Sequence, residues 1–229
     1  MGFQTTVQSQ QAPACAGDFA SANPRAAVVS PEGAFVAGAG GINVATFAWI
    51  QSDGKTLLNT DAAAKPDGFV HREQQALIST YLAESGNNIP AGFPVTLMRT
   101  GDYYALANGS AAAKGEKAYA KFQDGSVRFE PTASAPASAS ITAAQSGTTL
   151  TVSAVGSGAL SVGDLVTQAT GTPAYITAQL TGTAGSTGTY TLSVSQTVSS
   201  GAATATSYVE TDFACSRAAG TGELAVMSL

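Results

Sequence analysis

Side chains able to attack, titrate or ligate are few in this chain, and they are scattered. His71 is the only histidine. A serine nucleophile would have to be built on it, but no G-x-S-x-G elbow occurs anywhere. Its neighbours Arg72 and Glu73 mark it instead as a surface ion-pairing position. Zinc needs three or four closely placed Cys, His or acidic ligands, and His71, Cys15 and Cys215 offer no such spacing. Asp53, Asp61 and Asp67 are loop carboxylates without the D-x-[DN]-x-[DN]-G pattern of a calcium loop. The cluster Gly38-Ala39-Gly40-Gly41 fails the dinucleotide fingerprint, because Asn43 stands where the third glycine belongs and a strand follows. Acid pairs for glycoside hydrolysis are set by separation in space, and the 15 acidic residues single out no pair. The chain reads as a non-enzyme, with no catalytic residue, no metal site and no cofactor.

Composition narrows the partners. At 229 residues the chain is one large domain or two small ones. Only 11% of residues are charged, against about 25% in typical soluble domains. Gly, Ser, Thr and Ala fill the difference, as in turn-rich β proteins. The net charge of −5 comes with no basic cluster, which argues against nucleic acid as a partner. No apolar run is long enough to span a membrane. Met1 to Thr6 lacks the positive and apolar regions of a secretory signal; Gly2 and Thr6 fit the myristoylation pattern, which is silent in a cell without the transferase. Cys15 and Cys215 are therefore expected to be buried free thiols of a cytosolic product. Asn108-Gly109-Ser110 is expected to be a turn and not a glycosylation site.

The elements that must position any working surface fall into three parts. From 133 to 205 the chain holds a single charged side chain, Asp164, in a background of Ala, Gly, Ser, Thr and Val. That span reads as a small inserted β-domain projecting outward, with strands at 150–155, 160–166, 175–180 and 189–194. Residues 1–30 form an extended N-terminal arm broken by Pro13 and Pro24. Its apolar anchors Phe3, Val7, Phe19, Val28 and Val29 suit a strap that orders against a neighbour better than a solvated tail. Between and after lies the host domain, 31–132 plus 206–229. Its strand runs are 43–50, 93–98 and 103–107, the last ending at Asn108-Gly109 as a tight hairpin turn. A clear hairpin, 118–122 with 126–129, turns at Gln123-Asp124-Gly125, and 208–213 and 223–229 close the domain. Leu77, Ile78, Tyr81 and Leu82 give 71–84 a helical spacing, though flanking glycines fit a pair of short strands equally well.

Several host stretches resemble the cement, or capsid decoration, proteins of tailed bacteriophages. They are Ala16-Gly17-Asp18-Phe19-Ala20-Ser21-Ala22-Asn23-Pro24-Arg25, Val44 to Trp49, Gly68 to Ile78, Ile89 to Val95, Gly101-Asp102-Tyr103-Tyr104, the hairpin from Ala118 to Val127, and Gly222-Glu223-Leu224. Their order along the chain is more specific than any single match, and the insert lies outside the pattern. The resemblance implies a mainly β protein whose jelly-roll or β-barrel-like host domain docks on the outer surface of the capsid. It implies the major capsid protein and further copies of the chain (a dimer or trimer) as partners, with synthesis in the host cytoplasm. Phe3, Asp18, Phe19, Asn23, Pro24 and Arg25 become candidates for capsid or subunit contact. A head-fibre or tail adhesin gripping host glycans through the insert is the alternative, but the insert contributes only Tyr175 and Tyr190 to the aromatic platform such binding uses. A hydrolase acting on cell-surface polymer is weaker still, with one histidine and no motif.

Overall fold

The computed structural model describes residues 14–30, 33–60, 65–73 and 86–229. Among these every regular element is a strand. In chain order they are β1 (Ala26–Ala27), β2 (Phe35–Ala37), β3 (Ile42–Asn43), β4 (Phe47–Ile50), β5 (Thr56–Leu58), β6 (Gly68–Val70), β7 (Asn88–Ile89), β8 (Pro94–Val95) and β9 (Leu97–Thr100). They continue as β10 (Asp102–Leu106), β11 (Lys117–Lys121), β12 (Val127–Glu130), β13 (Ala137–Gly158), β14 (Leu165–Gln168), β15 (Ala174–Gln179), β16 (Gly188–Thr206), β17 (Tyr208–Arg217) and β18 (Leu224–Ser228).

Two sheets make the larger body. One has seven short strands in the order β1-β9-β6-β4-β5-β2-β8, and the other has five, β10-β18-β17-β11-β12. Alternation of side chains along each strand turns Phe47, Trp49, Phe69 and Met98 of the first sheet towards Tyr103, Ala118, Ala120, Phe129, Phe213 and Met227 of the second, forming one buried cluster. A second cluster, with Phe35, Ile42, Leu57, Val70, Ile89 and Leu97, fills the other side of the seven-stranded sheet. These are open sheets packed face to face. Of the two expected architectures, the barrel-like one is therefore replaced by a sandwich.

Gly125 shows how closely the sheets approach. Its φ is +67°, and a Cβ there would stand 2.1 Å from Phe47 O, whose own amide donates to Gly125 O at 2.8 Å. Only glycine fits that conformation and that contact.

Residues 137–206 form a separate four-stranded sheet, β13-β16-β14-β15, around their own core of Ile141, Leu150, Val152, Val166, Ile176, Tyr190 and Leu192. β13 and β16 pair from Ala137↔Thr206 to Val152↔Gly188. This ribbon doubles back on itself: Ala159 N donates to Ser138 O at 3.3 Å and Ser153 Oγ to Thr142 O at 3.2 Å. The bend lies at Gly147, φ +62°. There β13 advances two residues, Gly147 to Thr149, while β16 advances five, Gln196 to Thr191. The outer strand takes three extra residues to round the corner.

Several expectations are corrected. The run 43–50 is not one strand, because Ala45 sits at φ +64° between β3 and β4. Buried Asn59 holds that break, accepting Asn43 N at 2.5 Å and donating to Thr46 Oγ1 and Phe47 O. Asn108-Gly109 is not a tight hairpin turn, since β10 pairs with β18 rather than with β11. Both cysteines are free, but Cys15 is exposed and only Cys215 is buried; burial pushes the Cys215 thiol pKa up. His71 is not on the surface. It is 8% exposed, stacked 4.8 Å from Phe19 and paired through Nε2 with Glu73 at 2.7 Å. The helix-or-strand question at 71–84 falls almost wholly outside the described residues.

Candidate functional site

The arm residues singled out in the sequence form a clamp on their own domain. Gly17 N donates to Tyr104 O, Tyr104 N to Asp18 O, and Ala20 N to Asp102 O, each at 2.8–3.0 Å. Residues 17–20 thus serve β10 as an extra edge strand, so the arm from 14 onward does not stand away as an extended tether. Phe19 turns inward against the core cluster, 5.5 Å from the Tyr103 ring, and Arg25 lies 3.8 Å over its outer face as a cation–π cap. Burial pushes the Tyr103 hydroxyl up to about 12. Asp18 accepts Cys15 N at 2.9 Å and faces Arg72 at 3.8 Å. Pro24 is exposed. Phe3 lies outside the described residues.

Asp102 ties this clamp together; the sequence placed it in the stretch Gly101-Asp102-Tyr103-Tyr104 without giving it a role. Its carboxylate accepts Ser21 Oγ at 2.5 Å, Asn23 Nδ2 at 2.6 Å and the Ser228 hydroxyl. These donors, the Ser21 hydroxyl foremost, hold its pKa below the ordinary value. Asn23 is thus anchored within the chain through its Nδ2 while its side chain stays exposed.

A second feature is a groove of about 360 Å³ at the seam between the two large sheets. Val28, Phe47, Phe213 and Leu229 line its apolar part, and Lys65, Asp67, Arg99 and Asp212 bring charge to it. Those four charges sum to zero, and three of the four groups are engaged within the chain. Asp67 accepts Ile50 N at 2.7 Å, and Lys65 is ion-paired with Asp212. Arg99 is exposed.

The third feature is the junction between the four-stranded sheet and the sandwich. Asp164 is fully buried and accepts four hydrogen bonds. They come from Gln123 Nε2 at 2.8 Å, Ser207 Oγ at 2.5 Å, Ser138 Oγ at 3.0 Å and Ser161 N at 2.9 Å. Beside it the Phe122 and Tyr175 rings meet edge to face at 5.6 Å. Glu210 accepts Ala133 N at 2.7 Å and the Tyr119 hydroxyl at 2.8 Å where the chain enters the small sheet. Those two donors, Ala133 N the stronger, lower the Glu210 pKa. Nowhere among the described residues do three His, Cys, Asp or Glu side chains converge as metal ligands would.

The three features are contact and fastening devices, and comparison with known proteins says what kind of object they belong to. The family model of the XM1 gp53 minor capsid protein matches residues 3–162. The chain belongs to that family. As a member of the XM1 gp53 minor capsid protein family it is a structural protein of a phage capsid, located in the virion and in association with capsid proteins. The family match runs through the sandwich and into the small sheet, ending at Val162; it thus extends about thirty residues past position 133. No curated protein matches the chain. Among solved structures it is similar to a chain of "The capsid of Myoviridae Phage XM1", at 18% identity, covering 58% of this chain and 87% of that one with a TM-score of 0.41.

Proposed function

We propose that this minor capsid protein is a non-enzymatic decoration, or cement, protein. It binds the outer surface of the phage head, ties neighbouring major-capsid subunits together and acts as a small homo-oligomer. The family match over residues 3–162 carries this reading. The architecture supports it. The sandwich is the docking body, 133–205 is a distinct module fastened to it through Asp164 and Phe122, and an outward placement would keep that module clear of the capsid. Phe19 and Arg25 serve the docking face by fixing the arm, so that residues 1–13, Phe3 among them, start from a defined point beside Asp18, Asn23 and Pro24.

The insert's aromatic groups weigh against an adhesin. Tyr190 is buried in its core, and Tyr175 stacks on Phe122, leaving no aromatic platform for a glycan. Surface labelling of intact virions tests the placement. A membrane-impermeant amine reagent should modify this protein on unbroken particles. Labelling only after the heads are opened would place it inside and remove the decoration reading.

A further inference from the structure

The loop after β10 covers the edge of another strand. β12 has one neighbour in its sheet, β11. On its other side Asn108 N donates to Val127 O at 3.3 Å and Ser110 Oγ donates to Phe129 O at 3.0 Å. A bare strand edge invites another chain, and residues 108–110 blunt this one. The Asn108–Gly109 peptide lies between those two bonds and is held by neither. Gly109 N donates to no acceptor among the described residues, and the Asn108 carboxamide makes no hydrogen bond among them.

A free carboxamide followed by a free glycine amide can close a five-membered ring. The attack needs an unpaired N–H and a following residue without a bulky side chain. Gly109 meets both needs, exposed and at φ +76°. The other asparagines precede Pro24, Val44, Thr60, Asn88 and Ile89, which lack that open approach. The three Asp-Gly pairs have it in sequence, but the fold engages them. Gly54 N and Gly125 N donate to Gln51 O and Lys121 O at 2.9 and 2.8 Å, and Asp67 accepts Ile50 N. Arg128 adds an electrostatic push at Asn108. Its Nε and Nη2 serve Glu130, while Nη1 lies 3.3 Å from where a Cβ on Gly109 would stand. A cation there stabilises the ionised amide nitrogen that attacks and the carboxylate that results.

We propose that Asn108 is a site of spontaneous deamidation in the folded protein. Gly109 N loses its proton and bonds to Asn108 Cγ. The Cγ–Nδ2 bond breaks, and Nδ2 takes up a proton through solvent and leaves as ammonia. Water then opens the cyclic imide. Cleavage at Cγ gives aspartate, and cleavage at the main-chain carbonyl gives isoaspartate, so one water is consumed and one ammonia released. The isoaspartyl form inserts one extra backbone carbon between the two bonds that cover β12. The inference does not depend on the decoration reading.

The test keeps full-length protein in mildly alkaline buffer, either folded or unfolded in guanidinium chloride. Peptides are then mapped by mass spectrometry, with fragmentation that separates aspartate from isoaspartate. Asn108 should convert in the folded protein within about tenfold of its unfolded rate, with both products present. Asp53-Gly54 and Asp124-Gly125 should isomerise at least about tenfold more slowly folded than unfolded. Asn108→Gln, which would have to close a six-membered ring, should lose the conversion at this site and keep the wild-type unfolding midpoint. Folded-state conversion of Asn108 slower than that tenfold limit would overturn the assignment. So would earlier conversion at Asn87 or Asn88.

Discussion

Asp164 and Gln123 meet at 2.8 Å across the junction between the small sheet and the sandwich. The only charged side chain from 133 to 205 is thus turned inward, against the tip of the β11–β12 hairpin. A buried carboxylate persists only when its lone pairs are satisfied, and here two serine hydroxyls, one amide side chain and one backbone N–H do so.

Removing that carboxylate should loosen the junction. Asp164→Ala leaves Ser207 Oγ and Ser161 N without their acceptor and should cost about 3 kcal/mol. Asp164→Asn, which keeps an acceptor oxygen, should cost less. Denaturant unfolding checks both, and an Asp164→Ala midpoint equal to wild type would show that the junction does not depend on this group.

The clamp on the arm should be local and aromatic. Phe19→Ala removes ring contacts to His71 and Tyr103 and the seat of Arg25, at about 1–2 kcal/mol. Amide exchange at Gly17 and Ala20, slow in wild type because they bond Tyr104 O and Asp102 O, should accelerate while the Ala118 and Ala120 amides stay protected. His71→Ala should cost about 1 kcal/mol, more than a surface substitution, because the ring is buried on Phe19. Equal exchange in Phe19→Ala and wild type would contradict the clamp.

Acid should release the arm only late. The Asp102 pKa is lowered in the folded protein, so its contribution is fully present above the ordinary carboxylate value and is lost as pH falls through the depressed one. Exchange protection at Gly17 and Ala20 should be flat from about pH 8 to pH 5, with loss confined to stronger acid, below the ordinary 3.8. Asp102→Asn should shift that acid loss or abolish it. Loss of protection already near neutrality would require a different group.

The small sheet should be removable. Its two ends lie side by side, with Ala137 paired to Thr206 and Thr206 Oγ1 donating to Pro136 O at 2.8 Å. Replacing residues 137–205 with Gly-Ser should leave the near-ultraviolet signal of buried Trp49 intact. It should also uncover Phe122, which Tyr175 covers, so the shortened protein should associate more readily until Phe122→Ser is added. Loss of the Trp49 signal would mean that the sandwich needs the insert to fold.

What the sequence showed depended on how local the cause was. The β11–β12 hairpin was visible because Gln123-Asp124-Gly125 sets its turn within three residues, and Asp124 Oδ1 takes Ser126 N at 2.9 Å to close it. Asn108-Gly109 carries equally good turn chemistry and misled, because β10 finds its partner in β18, more than a hundred residues on. The break at Ala45 has its cause in Asn59, outside any window around the strand. The alternating residues of 150–155 and 189–194 marked strands correctly but not their continuation into a ribbon bent at Gly147, since a bend changes pairing and not periodicity. In the arm, Asp18, Phe19, Asn23 and Arg25 stood out by type. The long-range partners of Phe19 and Asn23, which are Tyr103 and Asp102, lie some eighty residues away, beyond the reach of any local pattern.

The central claim is that this minor capsid protein cements the head from outside. The direct measurement adds purified full-length protein to expanded heads lacking it and records bound copies per particle and particle survival on heating. The account predicts saturable binding, with the occupied heads surviving temperatures that open the bare ones. Absence of binding, or binding that leaves heat resistance unchanged, would contradict it.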